Sequence, residues 1–140
     1  MRKILIPCDG SDSAVRAVQF AARLARELSD VQIEMLYVED PVPLRMHASL
    51  SNQQIDRLQS DEGGHVLQRA KAVLDTADLS YEVRYRAGTP AHEIAHHAQE
   101  TCCDAIIMGT RGLGPVAGVM MGSVASRVVH LVDVPVTLVK

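Results

Sequence analysis

Apolar and polar residues follow two different periods along this chain, and the switches between them lay out its elements. Lys3-Ile4-Leu5-Ile6-Pro7 is a short continuous apolar run, the pattern of a central strand buried on both faces. It ends in Cys8-Asp9-Gly10-Ser11, a strand-to-helix turn in which Ser11 or Ser13 can cap the helix that follows. Ala14, Ala17, Val18, Ala21, Leu24, Ala25 and Leu28 then share one helical stripe, with Arg16, Arg23, Arg26 and Glu27 mostly off it. Small alanines on that stripe let the helix lie close to a sheet. Residues 31–38 read as a second strand, closed by Glu39-Asp40-Pro41. Residues 48–77 are helix-prone, but Gly63-Gly64 predicts a kink or two helical pieces there, because each glycine costs about 1 kcal/mol against alanine. Tyr81-Glu82-Val83-Arg84-Tyr85-Arg86 alternates strictly, as a half-exposed third strand does. Gly88-Thr89-Pro90 starts a helix running to about Thr101, with Thr89 as N-cap and Pro90 at the first helical position. Residues 104–108 form the fourth strand, 124–131 the last helix and 135–139 the last strand.

Strands alternating with helices over the whole chain predict an α/β fold. Right-handed crossovers make it a doubly wound, mostly parallel five-stranded sheet covered on both faces, in the order 3-2-1-4-5. At 140 residues this is a single domain spanning 1–140. In such sheets ligands sit beyond the carboxyl ends of the strands, where the strand order reverses.

The stretch that carries chemistry is 104–126. An apolar run, Ala105-Ile106-Ile107-Met108, feeds a glycine-rich segment beginning Gly109-Thr110-Arg111-Gly112, and a helix follows Gly122-Ser123. Glycines let backbone N–H groups approach an anion, and a helix start adds unpaired donors and partial positive charge. The N–H groups of Gly112, Gly122 and Ser123 are expected to converge on one phosphate, with Ser123 also serving as N-cap and hydroxyl donor. The turn at Pro7-Cys8-Asp9 comes to the same margin. Its carboxylate suits ribose hydroxyls, or phosphates through a metal ion, better than phosphate directly.

Net charge is −3 and there is no Lys/Arg block, so a nucleic-acid or acidic-membrane surface is not expected. No apolar run approaches the length of a transmembrane helix, and Met1-Arg2-Lys3 is followed by too short an apolar stretch for a signal peptide. Cys8, Cys102 and Cys103 have no CxxC spacing and read as free thiols of a cytoplasmic protein. Cys8 would be redox-sensitive only if helix N-termini lowered its pKa, and ordinary packing is the preferred reading.

Three motif readings of two segments are set aside. His92-Glu93-Ile94-Ala95-His96 matches HExxH, but no third ligand follows at zincin spacing. No metal site formed by protein side chains is expected, and His96-His97 are assigned to a solvated helix face. Gly112-Leu113-Gly114 is not a dinucleotide fingerprint, because Pro115 interrupts it and the helix starts late. It is not a Walker A loop either, since no lysine precedes a Ser or Thr after the last glycine, so fast phosphoryl transfer is not expected.

Together these residues resemble the universal stress protein family over essentially the whole chain. The resemblance rests on Ile4-Leu5-Ile6-Pro7-Cys8-Asp9-Gly10-Ser11, on Gly88-Thr89-Pro90-Ala91, on Asp104-Ala105-Ile106-Ile107-Met108-Gly109 and on Pro135-Val136-Thr137-Leu138-Val139. Its specific part is Gly109-x2-Gly112-x9-Gly122-Ser123, the spacing of the ATP-binding branch. The resemblance implies an adenine nucleotide alpha hydrolase-like fold that binds ATP, AMP or ADP, with Mg²⁺ on the phosphates. It implies Pro7, Cys8 and Asp9 at the ribose and adenine, backbone hydrogen bonds from Val38 to adenine, and Met108 and Gly109 flanking the ribose. Gly112, Gly122, Ser123 and Val124 would hold the phosphates, and Arg111 would reach one of them. Gly63-Gly64 and Pro115 depart from the usual pattern.

Val134-Pro135-Val136-Thr137-Leu138-Val139 is almost wholly apolar and would be a sheet edge, a liability unless covered. A homodimer through that strand is therefore expected, as the resemblance also implies. The function reached is a stress-response regulator or sensor that binds ATP with slow or no hydrolysis and acts through a protein partner the sequence does not identify. The alternatives are a slow ATPase or nucleotide hydrolase, and a nucleotide-free interaction module. Asp9 is read as a ribose ligand rather than a catalytic group.

Overall fold

A computed structural model describes residues 2–39, 51, 53, 64–111 and 121–140. In chain order its elements are β1 (Lys3–Pro7), α1 (Asp12–Glu27), β2 (Gln32–Glu39), α2 (Gln68–Thr76), β3 (Tyr81–Ala87), α3 (Pro90–Glu100), β4 (Ala105–Gly109), α4 (Ser123–Leu131) and β5 (Val136–Val139). All strand pairs are parallel, in the order β3-β2-β1-β4-β5. The sheet is the expected one. The chain runs outward from β1 through β2 to β3, then crosses back to β4, so strand order reverses beside β1.

Alternation along the strands divides the core into two layers. Ile4, Ile6, Ile33, Met35 and Ile107 pack with Val18, Leu67 and Leu74 on the side of α1 and α2. Leu5, Leu36, Ile106 and Met108 pack with Ile94, Ala98 and Val128 on the side of α3 and α4. The stripe of α1 is buried at Ala14, Ala17, Val18 and Ala21 and partly buried at Leu24 and Ala25, but Leu28 at its end is exposed, and Ala22 beside the stripe is buried too.

Several local expectations shift. Ser11, not Ser13, is the N-cap of α1, its hydroxyl accepting from the Ala14 N–H at 3.2 Å. Thr89 is the N-cap of α3, but its side chain makes no capping bond. α4 starts one residue early, with Gly122 as N-cap and Ser123 in the first turn, and no side chain caps it. In the 48–77 stretch Gly63 lies outside the described residues, while residues 64–66 are helical and a turn at Leu67 precedes α2. Leu67 is wholly buried and the backbone N–H of Lys71 bonds its carbonyl. A helical break at a wholly buried residue thus precedes α2. β3 alternates between half-buried and exposed positions, as its sequence pattern requires.

The largest correction concerns His97, which is buried rather than solvated. It lies against the buried Glu34 of β2, whose other carboxylate oxygen is 3.1 Å from Lys3 Nζ.

Candidate functional site

The residues singled out at the carboxyl margin come together. A cleft of about 480 Å³ opens there, bordered by Pro7, Cys8, Asp9, Val38, Met108 and Gly109, and beyond them by Arg111, Gly122, Ser123 and Val124. Gly112 lies outside the described residues, as does Pro115. Sequence reasoning missed seven further lining residues: Ser11, Ala14, Leu36, Pro90, Ile94, Thr110 and Ala125. Leu36 and Ile94 carried a signal, since both belong to apolar stripes that run out at the carboxyl ends of the strands.

β1 stops at Pro7, in register with Leu36, and the Cys8 N–H donates to the Leu36 carbonyl at 2.9 Å. Alternate residues of a strand turn their N–H and C=O to the same side. Val38, two residues beyond Leu36, therefore turns both groups toward the cleft, where no β1 residue stands in register.

The β1–α1 turn is a tight structure of its own. Gly10 has φ +83°, and a Cβ there would meet Val66 at 2.9 Å, so glycine is required on both counts. The Asp9 carboxylate accepts the Ser11 N–H at 2.9 Å. Cys8 borders the cleft, but its thiol donates to the Ile6 carbonyl. Burial, and then Asp9, pushes that thiol up to about 12. It is a packed neutral group, and the redox possibility loses its basis.

The root of the glycine-rich loop is fixed by α1. Ser13 Oγ donates to the Arg111 carbonyl at 2.5 Å and accepts the Arg111 N–H at 3.3 Å, and Ser11 Oγ also donates to that carbonyl. Gly109 lies directly beneath, where a Cβ would come within 2.2 Å of Ser13 Oγ and 2.9 Å of the Ala14 nitrogen. Close approach of β4 to α1, rather than approach to a ligand, is what requires glycine at 109. The Arg111 backbone is engaged and its side chain is exposed.

Of the donors expected for an anion, Ser123 and Val124 border the cleft, but Gly122 is engaged elsewhere. The Gly122 N–H donates to the Thr110 carbonyl at 2.5 Å, joining the two ends of the loop, so it is not free for a phosphate. The first bond inside α4 runs from the Ser126 N–H to the Gly122 carbonyl at 3.0 Å. The N–H groups of Ser123, Val124 and Ala125 consequently have no acceptor within the helix. The donor set moves one residue on, to the first turn of α4, and the start of the helix adds its partial positive charge.

Two of the three polar HExxH residues pair with charged neighbours. Glu93 and His96 are both bonded to Arg86, and among the described residues no group of three or more His, Cys, Asp and Glu side chains is placed to hold a metal. No helix among the described residues is long and apolar enough to cross a membrane.

A model of the universal stress protein family matches residues 1–140. The chain is 34% identical over 140 residues to a universal stress protein of Methanocaldococcus jannaschii, covering 99% of this chain and 82% of that one. It is 32% identical over 145 residues to a universal stress protein of Bacillus subtilis, covering 99% and 98%. Among solved structures, the universal stress protein UspA of Lactobacillus plantarum superposes with a TM-score of 0.80 at 25% identity, over 99% of this chain and 97% of that one. A universal stress protein in complex with cAMP superposes with a TM-score of 0.75, also at 25% identity and over 99% and 97%.

Proposed function

Because this chain belongs to the universal stress protein family, we propose that its cleft binds an adenine nucleotide, with ATP as the intended ligand. The observation that carries the reading is the pairing of two unlike ends in one cleft. At one end Val38 offers an adjacent backbone donor and acceptor. At the other, the first turn of α4 offers N–H groups that have no acceptor within the helix. The Val38 N–H suits adenine N1 and its carbonyl suits the adenine amino group. Guanine presents the opposite order, a donor at N1 and an acceptor at O6, and would leave both Val38 groups unpaired. The apolar walls of Leu36, Ile94 and Met108 suit a flat base, and the cleft volume is in the range of small-molecule sites. The complex of a relative with cAMP supports adenine as the base.

Asp9, Pro7 and Cys8 would lie along the base and ribose, with Met108 and Gly109 on the other side. The phosphates would meet Ser123, Val124 and the helix start, with Gly112 and Arg111 beside them. Mg²⁺ would travel on the phosphates, with no dedicated set of protein ligands. Asp9 accepts a hydrogen bond from its own turn, which suits a ribose ligand better than a catalytic base, so the reading is binding with slow or no turnover. The protein would act in the cytoplasm as a nucleotide-responsive regulator.

The homodimer belongs to the same reading. β5 is a sheet edge, and Val129 and Leu131 of the adjacent α4 are 41% and 45% exposed. A second copy would cover that apolar margin. Replacing Leu138 by Glu should yield monomer by sedimentation; an unchanged dimer, or a wild-type monomer, removes this part.

Titration calorimetry tests the binding. ATP and AMP should bind, with GTP at least about tenfold weaker. No binding of any adenine nucleotide at millimolar concentration would refute the proposal.

A further inference from the structure

One guanidinium bonds α3 along most of its length. Arg86 of β3 donates through Nε to Glu93 at 2.7 Å and through Nη1 to Glu100 at 2.6 Å. The same Nη1 faces His97 Nδ1 at 3.3 Å, and Nη2 faces His96 Nδ1 at 3.0 Å. A guanidinium cannot accept, so both imidazole nitrogens act as acceptors. His97 is thereby fixed as the tautomer whose Nε2–H donates to the Glu34 carboxylate. All four partners of Arg86 lie on α3, spread over its successive turns.

This attachment is more than burial of the helix demands. Ala91, Ile94 and Ala98 already form an apolar stripe in the core. Apolar contact is non-directional and tolerates sliding, whereas charge-assisted bonds to a planar fork fix position and orientation. What they fix borders the cleft. Arg86 stands in register with Val38, and α3 lines the cleft with Pro90 and Ile94.

We propose that Arg86 is a positioning residue for nucleotide recognition: by fixing α3 against β2 and β3, it sets the width of the cleft at its base end. The inference rests on the adenine reading above. Arg86 touches no ligand. It acts through Ile94 and Pro90 on one side of the base and Val38 at its edge, so its contribution is to discrimination between bases rather than to phosphate affinity.

The test compares wild type, Arg86→Met, Glu100→Gln and the control Arg84→Met, titrated with ATP and with GTP. Arg84 neighbours Arg86 on β3 but, among the described residues, pairs with Glu82 and the Val83 carbonyl and not with α3. Arg86→Met is expected to weaken ATP about tenfold while GTP changes little, so the ATP-to-GTP ratio falls by a similar factor. Glu100→Gln, half exposed and removing the charge but not the acceptor of one partner, should lower the ratio in the same direction by about threefold, and it serves where Arg86→Met does not fold. Arg84→Met should match wild type. An unchanged ATP affinity in folded Arg86→Met or Glu100→Gln overturns the inference. An equal loss of ATP and GTP also overturns it, because that is general loosening. Failure of the wild type to bind any adenine nucleotide instead refutes the adenine reading, so the two failures are distinguishable.

Discussion

The two faces of the sheet differ in what holds their helices. Under α1 and α2 the buried layer is apolar: Ile4, Ile6, Met35, Leu67 and Leu74 are wholly buried, and the polar ties lie at its margins, from Ser13 to Arg111, Arg16 to the Lys140 carbonyl and Arg69 to Asp12. Under α3 and α4 the centre is similar, with Leu5, Leu36 and Ile106, but toward β3 the layer becomes ionic. Lys3, Glu34, His97 and Arg86 form a connected line, extended to Glu93 and Glu100. The apolar side supplies burial, which is worth most where packing is complete and carries little directional information. The ionic side supplies geometry, at a helix that borders the cleft. Under the nucleotide proposal, stability and ligand recognition would rest on different faces of one sheet.

Removing Glu34 should break the contrast most severely. Glu34→Ala leaves the His97 N–H and Lys3 without their acceptor in a buried place, and about 4 kcal/mol of stability should be lost in urea unfolding at neutral pH. The pH dependence follows from the same group. Burial pushes the Glu34 carboxyl up, but its bonds to His97 and Lys3 outweigh this and hold it below its ordinary value. A carboxyl lowered in the fold contributes stability above its unfolded pKa, and that contribution is lost as pH falls through the folded one. The gap between wild type and Glu34→Gln should therefore narrow as pH drops below about 4; a gap constant with pH would contradict the assignment.

Leu74→Ala probes the other face. A cavity at a wholly buried leucine should cost about 3 kcal/mol. Unlike the Glu34 variants, it should show no extra acid dependence, and nucleotide affinity should stay at the wild-type level by calorimetry. Coupled loss of binding would mean that the faces are not independent.

Gly109→Ala sharpens the comparison at the point where both faces meet the cleft. Its methyl would displace Ser13 and the start of α1, costing about 2 kcal/mol and weakening ATP because the loop root moves with Arg111. Normal affinity with normal stability would show that α1 yields freely. The smallest effect belongs to Ser11→Ala, which removes one cap, about 1 kcal/mol by thermal unfolding. Ser13 retains the Arg111 carbonyl in that variant, so affinity should fall little.

Much of this was legible before any coordinates. Continuous apolar runs at residues 4–6 and 105–108 mark strands covered on both sides, and strict alternation at 81–86 marks an edge, because burial on one or two faces writes itself into the order of side chains. Glycine spacing and Pro7-Cys8-Asp9 located the cleft, since the carboxyl ends of parallel strands converge where strand order reverses. Single hydrogen bonds were not legible. Nothing local says that the Gly122 N–H turns to Thr110, that Ser11 rather than Ser13 caps α1, or that Gly109 is required by Ser13 rather than by a ligand.

His97 and Glu34 show the limit most clearly. Read along the chain, each is a polar residue in an amphipathic element and belongs in water. Folding brings together residues 63 positions apart, and each supplies the partner that makes the burial of the other tolerable. Periodicity, turn residues and glycine spacing are local in the chain, so the sequence alone determined the elements, the sheet and the place of the cleft. Which polar groups are paired, and hence which residues hold the walls of that cleft, depends on contacts between distant segments, and only the tertiary structure decided it.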